Sequence, residues 1–294
     1  MLTPGWLSSP RTVSATVAGV AAQSAGNQTV ALVTGATSGI GAAVARQLVD
    51  RGLTVYGTSR NPDTVADPIP GVTYVRLDNA DYDSAAACAA EVGPVDILIN
   101  NAGESQAGAL EDTPMSAIEN LFAVNVFGPI ALTKAVLPGM RQRRRGTVVM
   151  VGSMLSSFPV AFRSNYAATK SALKAYAFAT RREVAPYGIR MISVEPGTIA
   201  TGIGDRRSVY VGDDSPYKAE YDTLAAATRA NEDKGISAEA MAEVIVKAAL
   251  AEHPKPFYAK GNNAGVVFAL QRIAPRDAVL ALTARVHGLR WIKP

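Results

Sequence analysis

The feature that most constrains this chain is a β-rich run, Thr29–Thr34 (TVALVT), that stops at a glycine turn and passes directly into a helical pattern. The turn reads Gly35-Ala36-Thr37-Ser38-Gly39-Ile40-Gly41, and Ile40, Val44 and Leu48 follow at helical spacing. Glycine is needed where a backbone turns sharply and where a phosphate must approach the main chain. The helix that follows offers unpaired N–H groups and a partial positive charge. Strand, glycine turn and helix in this order imply a dinucleotide site. Taken alone, the segment also suits an ordinary βα turn.

The rest of the chain repeats the alternation. Strands are expected at Leu53–Thr58, Val72–Leu77, Val95–Ile99, Thr147–Val151, Ile189–Val194 and Pro256–Lys260. Helices are expected over 39–51, 82–91, about 113–140, 164–186 and 237–252. VDILI at 95–99 is nearly all apolar, as in a strand covered on both faces. Alternating strands and helices predict an α/β fold, a three-layer doubly wound parallel sheet (Rossmann fold) in a single domain. The domain spans 29–262. Residues 198–235 break the rhythm with Gly, Asp, Arg and Tyr, and read as a flap beside the site. Residues 1–28 read as an N-terminal extension with a short apolar stretch, Val13–Ala22, a weak imitation of a signal peptide. Residues 263–294 read as a C-terminal helical tail interrupted by Pro275.

Composition excludes several chemistries. One cysteine, Cys88, forbids an internal disulfide and fits a reducing compartment, with the cytoplasm as the expectation. With two histidines, His253 and His287, neither a His/Cys zinc site nor a Ser/His/Asp hydrolase is favoured, and no metal is expected. No uninterrupted apolar run is long enough for a transmembrane segment. The formal net charge of +4 does not imply nucleic acid. Arg141-Gln142-Arg143-Arg144-Arg145 reads as solvated cations at a helix C-terminus.

At the end of the second strand, Gly57-Thr58-Ser59-Arg60 offers no carboxylate to bond a ribose 2′-hydroxyl. Arg60 can instead pair with a 2′-phosphate, favouring NADP(H) over NAD(H), or it is a solvated surface arginine. On the helix after the fifth strand, Tyr166 and Lys170 stand i, i+4, on one face. A phenol is a poor base at neutral pH, and a neighbouring ammonium together with an oxidised nicotinamide favours the phenolate. Tyr166 is thus a candidate proton donor to a carbonyl, or acceptor from an alcohol, unless the pair is a surface contact. Ser153, just past the fifth strand, can bond a substrate oxygen, or can be a helix-cap serine. Asn125, amid apolar neighbours, can hold a water that relays protons to Lys170, or brace a helix kink.

These pieces together resemble the short-chain dehydrogenase/reductase family in its single-domain form. TGATSGIG at 34–41, NNAG at 100–103, Asn125, Ser153, YAATK at 166–170 and PGTIAT at 196–201 stand in the family's order, and flanking elements extend the likeness to about 29–260. The resemblance implies that Gly35, Gly39 and Gly41 shape a pyrophosphate turn contacted by Thr37, Ser38 and Ile40. It implies that Asp78 bonds the adenine, that Asn101, Ala102 and Gly103 line the cofactor, and that Asn100 braces the sheet. Tyr166 becomes the acid/base, Lys170 its tuner and the holder of the ribose, Ser153 the carbonyl polariser and Asn125 part of the proton relay. Pro196, Gly197, Thr198 and Thr201 would cover the nicotinamide. Asn79 departs from the pattern, in which an apolar residue often follows the aspartate. VFGPIALTKAVLPGM and KPFYAKG resemble the branch containing 17β-hydroxysteroid dehydrogenases and retinol-type enzymes, which implies a lipophilic alcohol or ketone. Met154, Leu155, Phe158 and Phe162 would wall such a pocket, or merely pack the core.

The expected activity is hydride transfer between NADP(H) and a small-molecule carbonyl or alcohol. Two alternatives are a catalytically silent NADP-binding sensor or scaffold on the same fold, and an epimerase or dehydratase, for which the C-terminal part is short. A homodimer or homotetramer is expected from the family. The apolar, basic tail is read as a cap on the substrate pocket or a subunit contact in preference to a membrane-surface segment.

Overall fold

Apolar runs of this chain become strands buried on both faces. In the computed structural model, which describes residues 28–200, 204 and 206–292, the first half contains β1 (Val30–Val33), α1 (Gly39–Val49), β2 (Thr54–Ser59), β3 (Val72–Arg76), α2 (Tyr82–Val92), β4 (Ile97–Asn100) and a short β5 (Gln106–Gly108). Next come α3 (Met115–Phe122), one π-helical turn (Ala123–Phe127), α4 (Gly128–Arg143) and β6 (Gly146–Val151). The second half adds α5 (Ser164–Val184), β7 (Ile189–Pro196), β8 (Ser208–Tyr210), α6 (Lys218–Glu232), α7 (Ala238–Leu250), β9 (Phe257–Lys260), α8 (Ala264–Gln271) and α9 (Arg276–Val286). The extension expected over 1–28 lies, except for Gln28, outside the described residues.

Seven strands form a wholly parallel sheet in the order β3-β2-β1-β4-β6-β7-β9. Side chains alternate across it. Ala31, Val33, Ile97, Ile99, Val149 and Val151 meet α1 and α7 on one face. Leu32, Leu98, Val148, Met150 and Met191 meet α2, α4 and α5 on the other. The three-layer doubly wound fold expected from the alternation is therefore present. The strand order reverses direction between β1 and β4, and in such sheets the crevice beyond the strand ends at that point is where ligands bind.

Three features differ from the sequence reading. The flap is not irregular throughout: it contributes β8, which pairs with β5 in a separate two-stranded sheet, and the fifteen-residue helix α6. The run Met115–Arg143 is one continuous helical stretch, long and apolar enough by length and composition to cross a bilayer. Its apolar side chains Leu132, Val136 and Met140 are buried against the sheet, the place of a core helix. The basic run at its end is tied down more than expected. Arg144 caps the helix in the left-handed region, Arg143 and Arg144 donate to the carbonyls of Val95 and Pro186 at 2.7 Å, and Arg145 pairs with Asp96 at 2.8 Å.

Candidate active site

The turn after β1 is built for close approach. Gly35 sits at φ +66°, and a side chain at Gly41 would lie 2.2 Å from the Gly35 carbonyl oxygen and 2.5 Å from the Asn101 amide nitrogen. Thr34, at the end of β1, accepts hydrogen bonds from the N–H groups of Asn101 and Ala102 at 2.9 Å, joining this turn to the segment after β4. Thr58 accepts from Gly35 N–H at 3.2 Å, joining it to the end of β2. The start of α1 has no side-chain cap and no acid in its first turn, whereas α2 and α7 are capped by Asp81 and Ser237. Uncapped first-turn N–H groups are open to an anion. Glycines no side chain could replace and an uncapped helix start fit a pyrophosphate-bearing dinucleotide.

Around this turn, Thr37 is exposed and Ser38 accepts from Arg206 at 3.2 Å. Arg60, one residue past β2, is exposed. Asp78 accepts from Ala80 N–H at 3.0 Å, so its carboxylate is partly committed to its own turn. Asn79 has a structural explanation: its buried amide donates to the Val124 carbonyl at 3.2 Å within the π-helical turn. A π turn displaces the regular ladder, and a polar side chain meets the carbonyl it leaves.

That π turn positions Asn125, which is fully buried. Its oxygen accepts from Glu104 N–H at 2.8 Å, and its amide donates to the Glu104 carbonyl at 2.9 Å and to Thr169 at 3.2 Å. The amide thus clips the segment after β4 to α5. A side chain at Gly103 would lie 2.9 Å from Asn125 Oδ1 and 3.3 Å from Lys170 Nζ, so both face the same glycine. Lys170 Nζ donates to the Val151 carbonyl at 3.1 Å and lies 5.8 Å from the centre of the Tyr166 ring. Asn100 braces the sheet, donating to Thr133 at 2.9 Å. Ser153 caps the short helical turn Met154–Ser156 by accepting from Leu155 N–H at 3.2 Å, which leaves its hydroxyl proton available to a ligand.

A cavity of about 530 Å³ gathers Ser153, Tyr166 and Lys170, while Asn125 lies behind its lining, buried against Glu104 and Thr169. Ile40, Asn101 and Gly103 line it beside Ser153, Tyr166 and Lys170, and Pro196, Gly197 and Thr198 close one side. Thr201 lies outside the described residues. Met154, Leu155 and Phe158 form part of the wall, as expected. Phe162 does not: it packs on Tyr217 and Tyr221, with ring centres 6.5 and 5.8 Å away, because its left-handed backbone (φ +60°) takes the side chain toward α6.

Sequence reading missed several cavity residues. Val267, Leu270, Leu282 and Val286 from α8 and α9 add apolar side chains to the cavity lining. Arg163, Arg207 and Glu232 also line the cavity, although no motif contains them. Burial and the neighbouring Arg207 push the Arg163 guanidinium down to about 10.

The short chain dehydrogenase family matches residues 29–209. Dehydrogenase/reductase SDR family member 7B of Xenopus tropicalis is 30% identical over 281 residues, covering 90% of this chain and 87% of its own length. The 3-ketodihydrosphingosine reductase of Bacteroides thetaiotaomicron is 30% identical over 264 residues, covering 87% and 97%. Among solved structures, a short-chain dehydrogenase from Streptomyces avermitilis aligns with a TM-score of 0.73 at 34% identity, covering 85% of this chain and 95% of its own. A short chain dehydrogenase from Burkholderia cenocepacia, in complex with NADP, aligns with a TM-score of 0.70 at 26% identity, covering 88% and 98%. A match running from the first strand into the flap, shared with relatives along most of their length, makes this chain a member of the short-chain dehydrogenase/reductase family of oxidoreductases.

Proposed function

We propose that the protein is an NADP(H)-dependent carbonyl reductase or alcohol dehydrogenase acting on a lipophilic substrate, of the kind handled by the hydroxysteroid and retinol dehydrogenase branch. The observation that carries this reading is one cavity lined by Ser153, Tyr166 and Lys170 together with Ile40 of the glycine turn, Asn101 and Gly103 after β4, and a set of apolar side chains. A bound nicotinamide dinucleotide would supply or take up the hydride. The pyrophosphate would lie on the start of α1, held by the Gly35–Gly41 turn, with Asn101 and Gly103 alongside. Arg60 supports NADP(H), because an exposed guanidinium with no carboxylate at the end of β2 suits a 2′-phosphate. The Burkholderia relative's NADP complex supports the same choice.

The chain's own groups divide the remaining work. The Tyr166 hydroxyl hands a proton to the carbonyl oxygen in reduction and takes it back in oxidation. Ser153 donates its free O–H to that oxygen and stabilises the charge developing there. The Lys170 ammonium, fixed through the Val151 carbonyl, keeps further N–H groups for ribose hydroxyls. Asn125 holds the Gly103–Glu104 backbone beside Lys170. Both the apolar wall and the bacterial 3-ketodihydrosphingosine reductase relative support a lipophilic substrate. Oxidation of NADPH against a panel of apolar ketones is the test. The Tyr166→Phe variant is expected to lose at least about a hundredfold in kcat while keeping its affinity for NADPH. A variant as active as the parent overturns the assignment.

A further inference from the structure

The cavity has a polar corner that reduction of a purely apolar ketone leaves unused. Arg163, at the residue preceding α5, is only 7% exposed. Its guanidinium lies 4.9 Å over the Tyr166 ring, and Nη2 donates to Ser105 Oγ at 3.0 Å. Among the described residues its Nε is buried with no partner. Arg207 Nε donates to the same Ser105 oxygen at 3.3 Å, and its Nη2 pairs with Glu232. One serine oxygen therefore draws two guanidiniums together, and the Glu232 carboxylate pairs with Arg207 of the two. Among the described residues, Arg163 has no ion pair of its own.

A buried guanidinium with an unsatisfied N–H is costly, and nothing in the reading of Tyr166, Lys170 and Ser153 requires one here. A carboxylate answers it: its two oxygens match the planar fork, and its charge offsets the repulsion between the two arginines. That repulsion and burial together already depress the Arg163 guanidinium. Leu155, Phe158, Val267, Leu270 and Leu282 give the same cavity apolar surface.

We propose that Arg163 and Arg207 form an anion subsite, so that the substrate is an amphipathic oxo acid: an apolar chain, a reducible carbonyl at Tyr166, and a compact carboxylate close to that carbonyl. The proposal rests on the carbonyl-reductase reading and narrows its substrate class, but its test needs no turnover.

Isothermal titration of the full-length protein with octanoate and with 1-octanol, equal in chain length, isolates the anion. Octanoate is expected to bind at least about tenfold more tightly, the effect of one charge-assisted hydrogen-bonded pair. Arg207→Gln and Arg163→Gln are each expected to cut that preference to less than about threefold, and Arg163→Lys to retain part of it. Equal affinities in the parent, or a preference that survives in Arg207→Gln, overturn the subsite. Should Arg163→Gln not fold, the parent ratio and Arg207→Gln decide. Octanoate preference without ketone turnover sinks the enzymatic reading alone; turnover without the preference sinks the anion subsite alone.

Discussion

Arg60 and Arg163 show what single residues do and do not reveal in a sequence. Arg60 is legible because its meaning depends on chain position: it follows the second strand, where the ribose contact of a dinucleotide falls in this fold. Its exposure fits a side chain waiting for a phosphate. On the proposed NADP(H) reading Arg60 is a bidentate partner for the 2′-phosphate, and Arg60→Ala is expected to lower the NADPH-to-NADH ratio of kcat/KM by about tenfold or more. Initial rates with both cofactors measure it, and an unchanged ratio withdraws Arg60 from cofactor choice. Tyr166, Lys170 and Ser153 were legible in the same way, through spacing on one helix and one strand end. Arg163 was not. Its partner Ser105 lies 58 residues away and Arg207 lies 102 residues from that serine, so only the folded chain brings the three together. Its sequence neighbours carry no mark of burial.

Between elements, one lysine does more than the helix pattern foretells. Lys174 on α5 pairs at 3.0 Å with Glu195, fully buried near the end of β7, and bonds Ser157 after the Ser153 turn. Its ammonium also lies 5.1 and 5.9 Å from the ring centres of Phe257 on β9 and Phe268 on α8. Ser156 and Ser157 donate to the same carboxylate. The turn carrying Ser153 is thus fastened to helix, sheet and tail through one ion pair. Lys174→Met keeps the aliphatic bulk but strands a buried carboxylate. It is expected to cost about 2–3 kcal/mol, toward the low end for a broken buried pair because the two serines remain. Glu195→Gln, which keeps a hydrogen-bonding group, is expected to cost about 1 kcal/mol. Urea denaturation compares the two, and a smaller loss for Lys174→Met than for Glu195→Gln contradicts the account. The sheet and its flanking helices were readable because their apolar patterns are strong. Helix α6 was not, since Leu224 alone among its fifteen residues is fully buried, too little to mark an amphipathic stripe.

At the scale of the whole molecule the cavity is a joint product of two parts of unequal legibility. The reacting groups come from strand ends and from α5, fixed by the parallel sheet. Part of the apolar wall comes from α8 and α9; α8 is held to β9 by the Phe257–Phe268 contact at 5.1 Å and to the segment after the Ser153 turn by Phe158–Phe268 at 5.0 Å and by Gln271, which donates to the Ser157 carbonyl at 2.7 Å. On the proposed reading such a division separates chemistry from specificity: the first part sets what happens at the carbonyl, the second which chain is admitted. Leu282 tests the division. It lines the cavity from α9, remote in sequence from every motif, and is 43% exposed, so a substrate chain would cover part of its surface. Covering about half of a leucine side chain stabilises the complex by about 1 kcal/mol, equivalent to about fivefold in kcat/KM. Leu282→Asn is therefore expected to lower kcat/KM about fivefold for a long-chain ketone and to leave that for acetone, as well as KM for NADPH, within about twofold. Equal losses for both ketones would place Leu282 in the support of the reacting groups and dissolve the separation between the sheet's chemistry and the tail's selectivity.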